Sequence, residues 1–312
     1  MKFLQLIKGA LLLVACLSAQ AYPYSQVVVF GDSNVDNGNL RALFGAGVNP
    51  PPNFGGRNNN GPVVVEYLAT SLGVPLRDFA YSGATTGAPG LNALIPNTLT
   101  QIQTYFSTLG GGAADPNALY IYWAGSNDIF LATTPPAALK GKIDGATANI
   151  DNALRQLDAR GAQHVLVANR TPRPNLASVD NLNGVALNAA MQSLVSSIDL
   201  ELAANIQLYD AYASIEHMVL NPLHYGFTQA TALCLSNNPG PDNCANDPTV
   251  AAGYINWDAA HKTTRVHQIM AQQILRQVPE PHPFFLAGMG FLALLATRKP
   301  RRQPKLGLAL GH

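Results

Sequence analysis

The chain has few charged residues and few cysteines for its length. Lysine, arginine, aspartate and glutamate together make up only 12% of 312 residues, and the formal net charge is +1. Nucleic-acid-binding proteins normally carry a basic patch, and none is visible between the two ends of this chain, so we expect no nucleic-acid partner. The sequence also lacks an internal repeat. Its 27 glycines and 22 prolines follow no period, which excludes a collagen-like chain.

The scarcity of cysteine excludes a disulfide-rich scaffold. Cys16 lies in the apolar N-terminal segment, whereas Cys234 and Cys244 lie in a loop rich in Asn, Pro, Gly and Asp. In an exported protein, two such cysteines are expected to form a disulfide. Two cysteines without partnering histidines make a poor metal site, and the aspartates of the same loop lack the spacing of a calcium loop. We therefore expect no metal.

The N-terminus has the composition of a secretory signal. Lys2 and Lys8 precede an apolar run at 10–17 that is too short to span a bilayer, and the A-x-A sequence at 19–21 follows. We expect signal peptidase to remove residues 1–21. Lipoprotein processing at Cys16 and an N-terminal membrane anchor are the alternatives.

The C-terminus has the composition of a second targeting signal. Pro279-Glu280-Pro281 precedes an apolar run at 284–296 and a basic cluster at 298–302. This order resembles a PEP-CTERM sorting signal over residues 278–303, followed by a tail at 304–312. The resemblance implies export from a Gram-negative bacterium, transient membrane anchoring and processing by an exosortase-type enzyme. An ordinary C-terminal anchor is the alternative. Both place the body, 22–277, at the cell surface or in the extracellular matrix.

Within the body, short apolar runs alternate with amphipathic segments. This alternation predicts a three-layer α/β/α sandwich with a central parallel sheet, and no linker divides it. The predicted strands are 27–30, 74–78, 118–123, 164–168 and 206–209, and the predicted helices are 63–72, 91–109, 137–160, 183–204 and 259–277.

Ser33 follows the first apolar run, at the end of a parallel strand where open α/β sheets bind their ligands. Taken alone, this stretch is explained more simply by a serine that caps the next helix. A serine nucleophile needs a base, and histidine is the usual one. Asp258 lies three residues before His261 and can orient it. The amides of Ser33 and Gly83 and the side chain of Asn127 can supply oxyanion donors.

The segments that carry these residues resemble, in order, the conserved blocks of the GDSL family of SGNH hydrolases. They are FGDSNVDNGN, DFAYSGATTG, WAGSNDIF and NWDAAHKTTRVHQIMA, and the resemblance covers most of residues 26–277. It implies a flavodoxin-like fold without cofactor, with Ser33 as nucleophile, His261 as base and Asp258 as orienting carboxylate. Ser33, Gly83 and Asn127 would form the oxyanion hole.

Two residues depart from the family pattern. Lys262 stands where the family usually has proline, and we expect it to alter the start of the last helix or the local charge. Asn59 stands where relatives often have serine, in a loop expected to shape the substrate site.

Together these features predict an exported serine ester hydrolase, a carboxylesterase or lipase, that acts through an acyl-enzyme on an acyl ester, lipid or acetylated sugar. A polysaccharide O-acetyl esterase and an acyltransferase are alternatives within the same chemistry. A non-catalytic surface or matrix protein on the same fold is the alternative from another class.

Overall fold

A parallel sheet forms the centre of the molecule. The computed structural model describes residues 24–87, 92–129, 136–235 and 244–278. The sheet has the order β2-β1-β3-β4-β5, in which every neighbouring pair is parallel. Its strands are β1 (Val27–Gly31), β2 (Leu76–Asp78), β3 (Leu119–Trp123), β4 (His164–Ala168) and β5 (Asn205–Tyr209).

The strand order positions the ligand site. β2, the next strand in the chain, lies on one side of β1, whereas β3, β4 and β5 follow one another on the other side. The strand order therefore reverses between β1 and β3. Helices that cross on opposite faces of the sheet leave a crevice at such a reversal, outside the carboxyl ends of the strands. The residues that follow Gly31 and Trp123 therefore face the same crevice.

Helices cover both faces of the sheet, as the alternating pattern predicted. α3 (Thr98–Thr108), α4 (Pro136–Ala159) and α5 (Val179–Ile198) share one apolar core with alternate strand residues such as Val28 and Phe30. α2 (Val64–Leu72) contacts β1 and β2, and also packs against α8 (Thr264–Gln277). All five residues of β1 and of β3 are buried, because their apolar runs meet helices on either side.

Three predicted helix boundaries were wrong, and local capping explains two of them. The helix expected at 91–109 begins only at Thr98, where the Asn97 side chain accepts the Thr100 N–H. The helix expected at 183–204 starts earlier, because Ser178 caps it, and it ends at Ile198. The third, the last helix, was expected to start at 259 and begins at Thr264.

Several elements had no counterpart in the sequence prediction. They are α1 (Asn39–Phe44), α6 (Ala211–Leu220), α7 (Pro248–Ala251) and a small parallel pair of β6 (Gln229–Leu233) and β7 (Tyr254–Asn256). A disulfide joins Cys234, just after β6, to Cys244. Both cysteines pack with Trp257 in a small apolar cluster, close in sequence to Asp258.

The predicted export signals fall largely outside the described residues. This applies to the N-terminal signal at 1–21, and to the apolar run and basic tail of the C-terminal segment. Among the residues that are described, no helix combines the length and apolarity needed to cross a membrane.

Candidate active site

Ser33 lies in a tight turn at the carboxyl end of β1. Asp32 shapes this turn, because its Oδ1 accepts the backbone and side-chain N–H groups of Asn34 at 3.0 and 2.8 Å. The buried Gln101 of α3 braces the strand end by bonding both the N–H and the carbonyl of Gly31. A side chain at Gly31 would meet the Trp123 carbonyl oxygen at 2.4 Å, so glycine is needed there.

Asp258 and His261 lie in a hairpin that precedes α8, not at the start of the helix as predicted. The Trp257 N–H donates to the His261 carbonyl at 2.9 Å and closes the hairpin. Oδ1 of Asp258 accepts the N–H groups of Ala260 and His261, both at 2.7 Å. These side-chain bonds form a turn. The backbone bonds from Trp257 to His261 and from Thr263 to Ile255 pair the segment with the preceding strand, so the helix begins only after it.

The structure brings Ser33, His261 and Asp258 together in one line of hydrogen bonds. Nε2 of His261 lies 2.9 Å from Oγ of Ser33, a residue 228 positions away in the chain. Nδ1 of His261 lies 2.8 Å from Oδ2 of Asp258. Both distances are normal hydrogen-bond lengths, so a proton can pass from the hydroxyl to the imidazole while the carboxylate holds the ring.

The Asp258 carboxyl has a low pKa. Burial by itself would raise the pKa of this carboxyl. The hydrogen bond and charge of His261, together with the two backbone N–H groups, outweigh burial and lower the pKa to about 2. The carboxylate can therefore accept the Nδ1 proton and stabilise an imidazolium.

The proposed oxyanion donors line the same crevice. The N–H groups of Ser33 and Gly83 donate to no atom of the described residues and remain available to a ligand. Gly83 adopts φ +83°, a conformation that side chains disfavour. One N–H of the Asn127 side chain donates to the Ala84 carbonyl at 2.8 Å, which leaves the second for the cleft.

Two carboxylates, the buried Asp36 and the half-buried Asp128, fix the loop that contains Gly83. Asp36, after β1, accepts the Ser82 N–H at 2.7 Å. Asp128, after β3, accepts the N–H and hydroxyl of Thr86, the latter at 2.6 Å. Burial raises the pKa of both carboxyls, although these hydrogen bonds oppose the shift. The loop is thus held at both ends by residues that follow β1 and β3, so Asp36 and Asp128 have structural roles.

A cleft of about 260 Å³ opens above Ser33 and His261. Sequence reasoning missed most of its walls. Besides Ser33, Gly83, Asn127 and His261, the described lining residues are Asn34, Leu40, Asn58, Ser82, Ile95, Ser126, Thr171, Arg173 and Ala260. Thr171 and Arg173 could have been found, because they follow the predicted strand that becomes β4.

Both departures from the family pattern lie close to the cleft in sequence, and both side chains are buried. Asn59 is 1% exposed and does not line the cleft, whereas its neighbour Asn58 does. Lys262 adds no surface charge, because its side chain is buried beneath the His261 hairpin. The helix after it starts at Thr264, with Thr263 as its N-cap residue.

No group of three or more His, Cys, Asp or Glu side chains in the described ranges could hold a metal ion. The polar groups nearest the proposed nucleophile in the crevice include the side chains of Asn127 and His261 and the backbone amides beside Ser33.

The chain matches one known protein family over most of its length. The family model for GDSL-like lipases and acylhydrolases matches residues 27–274. The thermolabile hemolysin of Vibrio parahaemolyticus is 26% identical over 274 residues, which cover 80% of this chain and 63% of that protein. The chain thus spans less than two thirds of that relative's length.

Two plant enzymes match over most of their own length. A GDSL esterase/lipase of Arabidopsis thaliana is 23% identical, covering 84% of this chain and 90% of the relative. Acetylajmalan esterase 2 of Rauvolfia serpentina is also 23% identical, covering 82% and 91%. A crystal structure of a lipolytic G-D-S-L family protein from Veillonella parvula is 14% identical with a TM-score of 0.46, covering 80% of this chain and 96% of that one.

A parallel sheet with helices on both faces defines this protein as an α/β protein, and the family match makes the class specific. The chain belongs to the GDSL-like lipase/acylhydrolase family and is a hydrolase of ester bonds.

Proposed function

We propose that the protein hydrolyses carboxylic esters through an acyl-enzyme on Ser33. The observation that carries this proposal is the line of hydrogen bonds from Ser33 through His261 to Asp258. Nε2 of His261 takes the hydroxyl proton as Oγ attacks the ester carbonyl. The same nitrogen then protonates the leaving alcohol. Water, activated in turn by His261, attacks the acyl-enzyme and releases the acid.

The negative charge that develops on the carbonyl oxygen is stabilised by donors already in place. These are the N–H groups of Ser33 and Gly83 and the second side-chain N–H of Asn127. Asp36 and Asp128 hold the Gly83 loop before the substrate arrives, so little reorganisation is needed in the transition state.

The preferred substrate is an ester of a short acid such as acetate. The cleft of about 260 Å³ is smaller than the pockets of roughly 300–1,000 Å³ that enclose drug-sized ligands. Leu40 and Ile95 supply apolar contact for a short acyl group, whereas polar side chains such as Asn58 and Thr171 suit a hydroxylated alcohol. One relative, acetylajmalan esterase 2, carries an acetyl ester in its name.

A panel of p-nitrophenyl esters tests the reaction and the acyl preference together. We expect turnover of the acetate and butyrate, and much slower turnover of the octanoate and palmitate. A fluorophosphonate should label Ser33, as read by peptide mass spectrometry, and should stop the reaction. Added alcohol would divert the product to a new ester if acyl transfer competes. A folded protein that neither turns over any ester nor takes the label would contradict the proposal.

Asn127→Ala is expected to lower kcat for the acetate ester by about 10²–10³-fold, the usual effect of removing one oxyanion donor. KM should change little, because this contact strengthens only as the oxyanion forms. Asn127→Asp, which keeps the size but removes the donor, should show a similar loss. Asn152→Ala, at an exposed position on α4, is the control. Full activity in both Asn127 variants would remove this side chain from the oxyanion hole.

We also propose that the enzyme is exported and retained at the cell surface. The composition of residues 1–21 and the Pro-Glu-Pro, apolar and basic order of 278–303 support this. Export can be tested by measuring the intact mass of the protein recovered from its native host. A cytoplasmic protein that still carries both segments would contradict export.

A further inference from the structure

Lys262 is a buried cation directly next to His261. Its side chain is 1% exposed. Nζ donates to the Pro172 carbonyl at 2.8 Å and to Oδ1 of Asn256 at 2.6 Å. In the part of the chain that the structure describes, no carboxylate forms an ion pair with it. Burying an ammonium group without a carboxylate is unfavourable, so the buried position of Lys262 needs a physical explanation.

Lys262 and Asn256 form the base of the hairpin that carries Asp258 and His261 at its tip. The two residues face each other across an antiparallel bridge. The flanking bonds are Trp257 N–H to the His261 carbonyl and Thr263 N–H to the Ile255 carbonyl. The pair exchanges no backbone hydrogen bond, and side chains approach most closely in pairs of this kind. The bond from Lys262 to Asn256 therefore closes the hairpin directly below His261.

The second bond of Lys262 reaches the cleft wall. Pro172 lies between Thr171 and Arg173, which both line the cleft, in the segment that follows β4. Asn256 is itself fixed, because its Nδ2 donates to the Ala230 carbonyl at 2.9 Å and so turns Oδ1 towards Lys262. One ammonium group thus connects the His261 hairpin to a different loop of the cleft.

We propose that Lys262 is a positioning residue, which holds the His261 imidazole at hydrogen-bond distance from Ser33 by clamping the hairpin to the Pro172 segment. The inference rests on the roles of Ser33 and His261 proposed above. Lys262 touches no reacting atom, and its effect passes through the backbone of the residue beside it.

The clamp does not depend on the charge of Lys262. Burial, together with the positive charges of Arg173 and Arg170, lowers the pKa of the side chain to about 7, and the charge of Asp258 opposes this shift. A neutral amine still has two N–H groups, which match the two acceptors, Pro172 and Asn256. Both bonds therefore persist on either side of neutral pH.

Lys262→Met tests the clamp by keeping the length of the side chain and removing its donors. We expect kcat for the acetate ester to fall by about 10²-fold with KM unchanged, because a displacement of roughly 1 Å at a catalytic group has such an effect. Ile274→Ala opens a cavity at a buried position of α8 and serves as the control, since it lowers Tm without touching the hairpin. If Lys262 contributed only to stability, both variants would have a lower Tm than the wild type and a kcat equal to that of the wild type.

A second readout does not depend on turnover. The far-downfield proton resonance of the Nδ1–H of His261 reports its bond to Asp258, and we expect Lys262→Met to shift or broaden it while Ile274→Ala leaves it unchanged. If Lys262→Met does not fold, Lys262→Gln, which keeps a donor but is too short to make both bonds, is judged by the same two criteria. A folded Lys262 variant with wild-type kcat and an unchanged resonance would overturn the clamp. If the Ser33→Ala variant were active, the proposed role of Ser33 would be wrong. The Nδ1–H resonance of His261 would still test the role of Lys262 in that case.

Discussion

Ser33→Ala is expected to reduce kcat for ester hydrolysis by about 10⁵–10⁶-fold, as loss of the serine does in hydrolases with the same arrangement. Oγ is the atom of the cleft that lies 2.9 Å from Nε2 of His261. Alanine leaves the imidazole with no proton to take and the substrate with no nucleophile. The free energy of unfolding should hardly change, because the substitution removes a single oxygen at the edge of the cleft.

The measurement is the initial rate on p-nitrophenyl acetate, with Tm recorded for each variant. Ser107→Ala is the matched control, because Ser107 is an exposed serine on α3 whose hydroxyl bonds only its own helix. It should keep the full rate. If Ser33→Ala retained a substantial part of the wild-type rate while still folded, the nucleophile would have to be a different residue.

Asp258→Asn is expected to lower kcat by about 10⁴-fold without unfolding the hairpin. Oδ1 of asparagine can still accept the N–H groups of Ala260 and His261, which shape the turn. The new amide nitrogen, however, would face Nδ1 of His261 with a second donor. The imidazole must then carry its proton on Nε2, where it can no longer accept the proton of Ser33.

Asp247→Asn provides a close control. Oδ1 of Asp247 also accepts two backbone N–H groups, those of Thr249 and Val250, but no histidine of the described residues bonds its carboxylate. The control should keep full activity. A folded Asp258→Asn variant with wild-type kcat would mean that another group orients His261.

The apolar β-branched runs made the strands predictable, because a run such as 27–30 can be buried on both faces only in the middle of a sheet. Element ends were less predictable, since they depend on single capping bonds such as that of Ser178 to the Asn181 N–H. Short elements such as α1 and β6 escaped prediction because they carry too few residues to show a period.

The polar side chains after β1 and β3 could be assigned to one crevice from the sequence, because the carboxyl ends of parallel strands meet at one edge. Gln101 could not be assigned to it. Its bonds to Gly31 depend on where α3 crosses the sheet, and a glutamine in an amphipathic helix normally faces solvent.

The sequence by itself identified the groups that we propose do the chemistry, because Ser33, Asp258 and His261 occur in segments with a recognisable order and spacing. Only the tertiary structure decided that Ser33 and His261 meet, since 228 residues separate them and the contact depends on how the hairpin seats against β1. It also decided where the Lys262 side chain lies. A lysine is expected at the surface, and the hairpin instead turns this one inward, where the Pro172 carbonyl and Asn256 replace the water that its ammonium group loses.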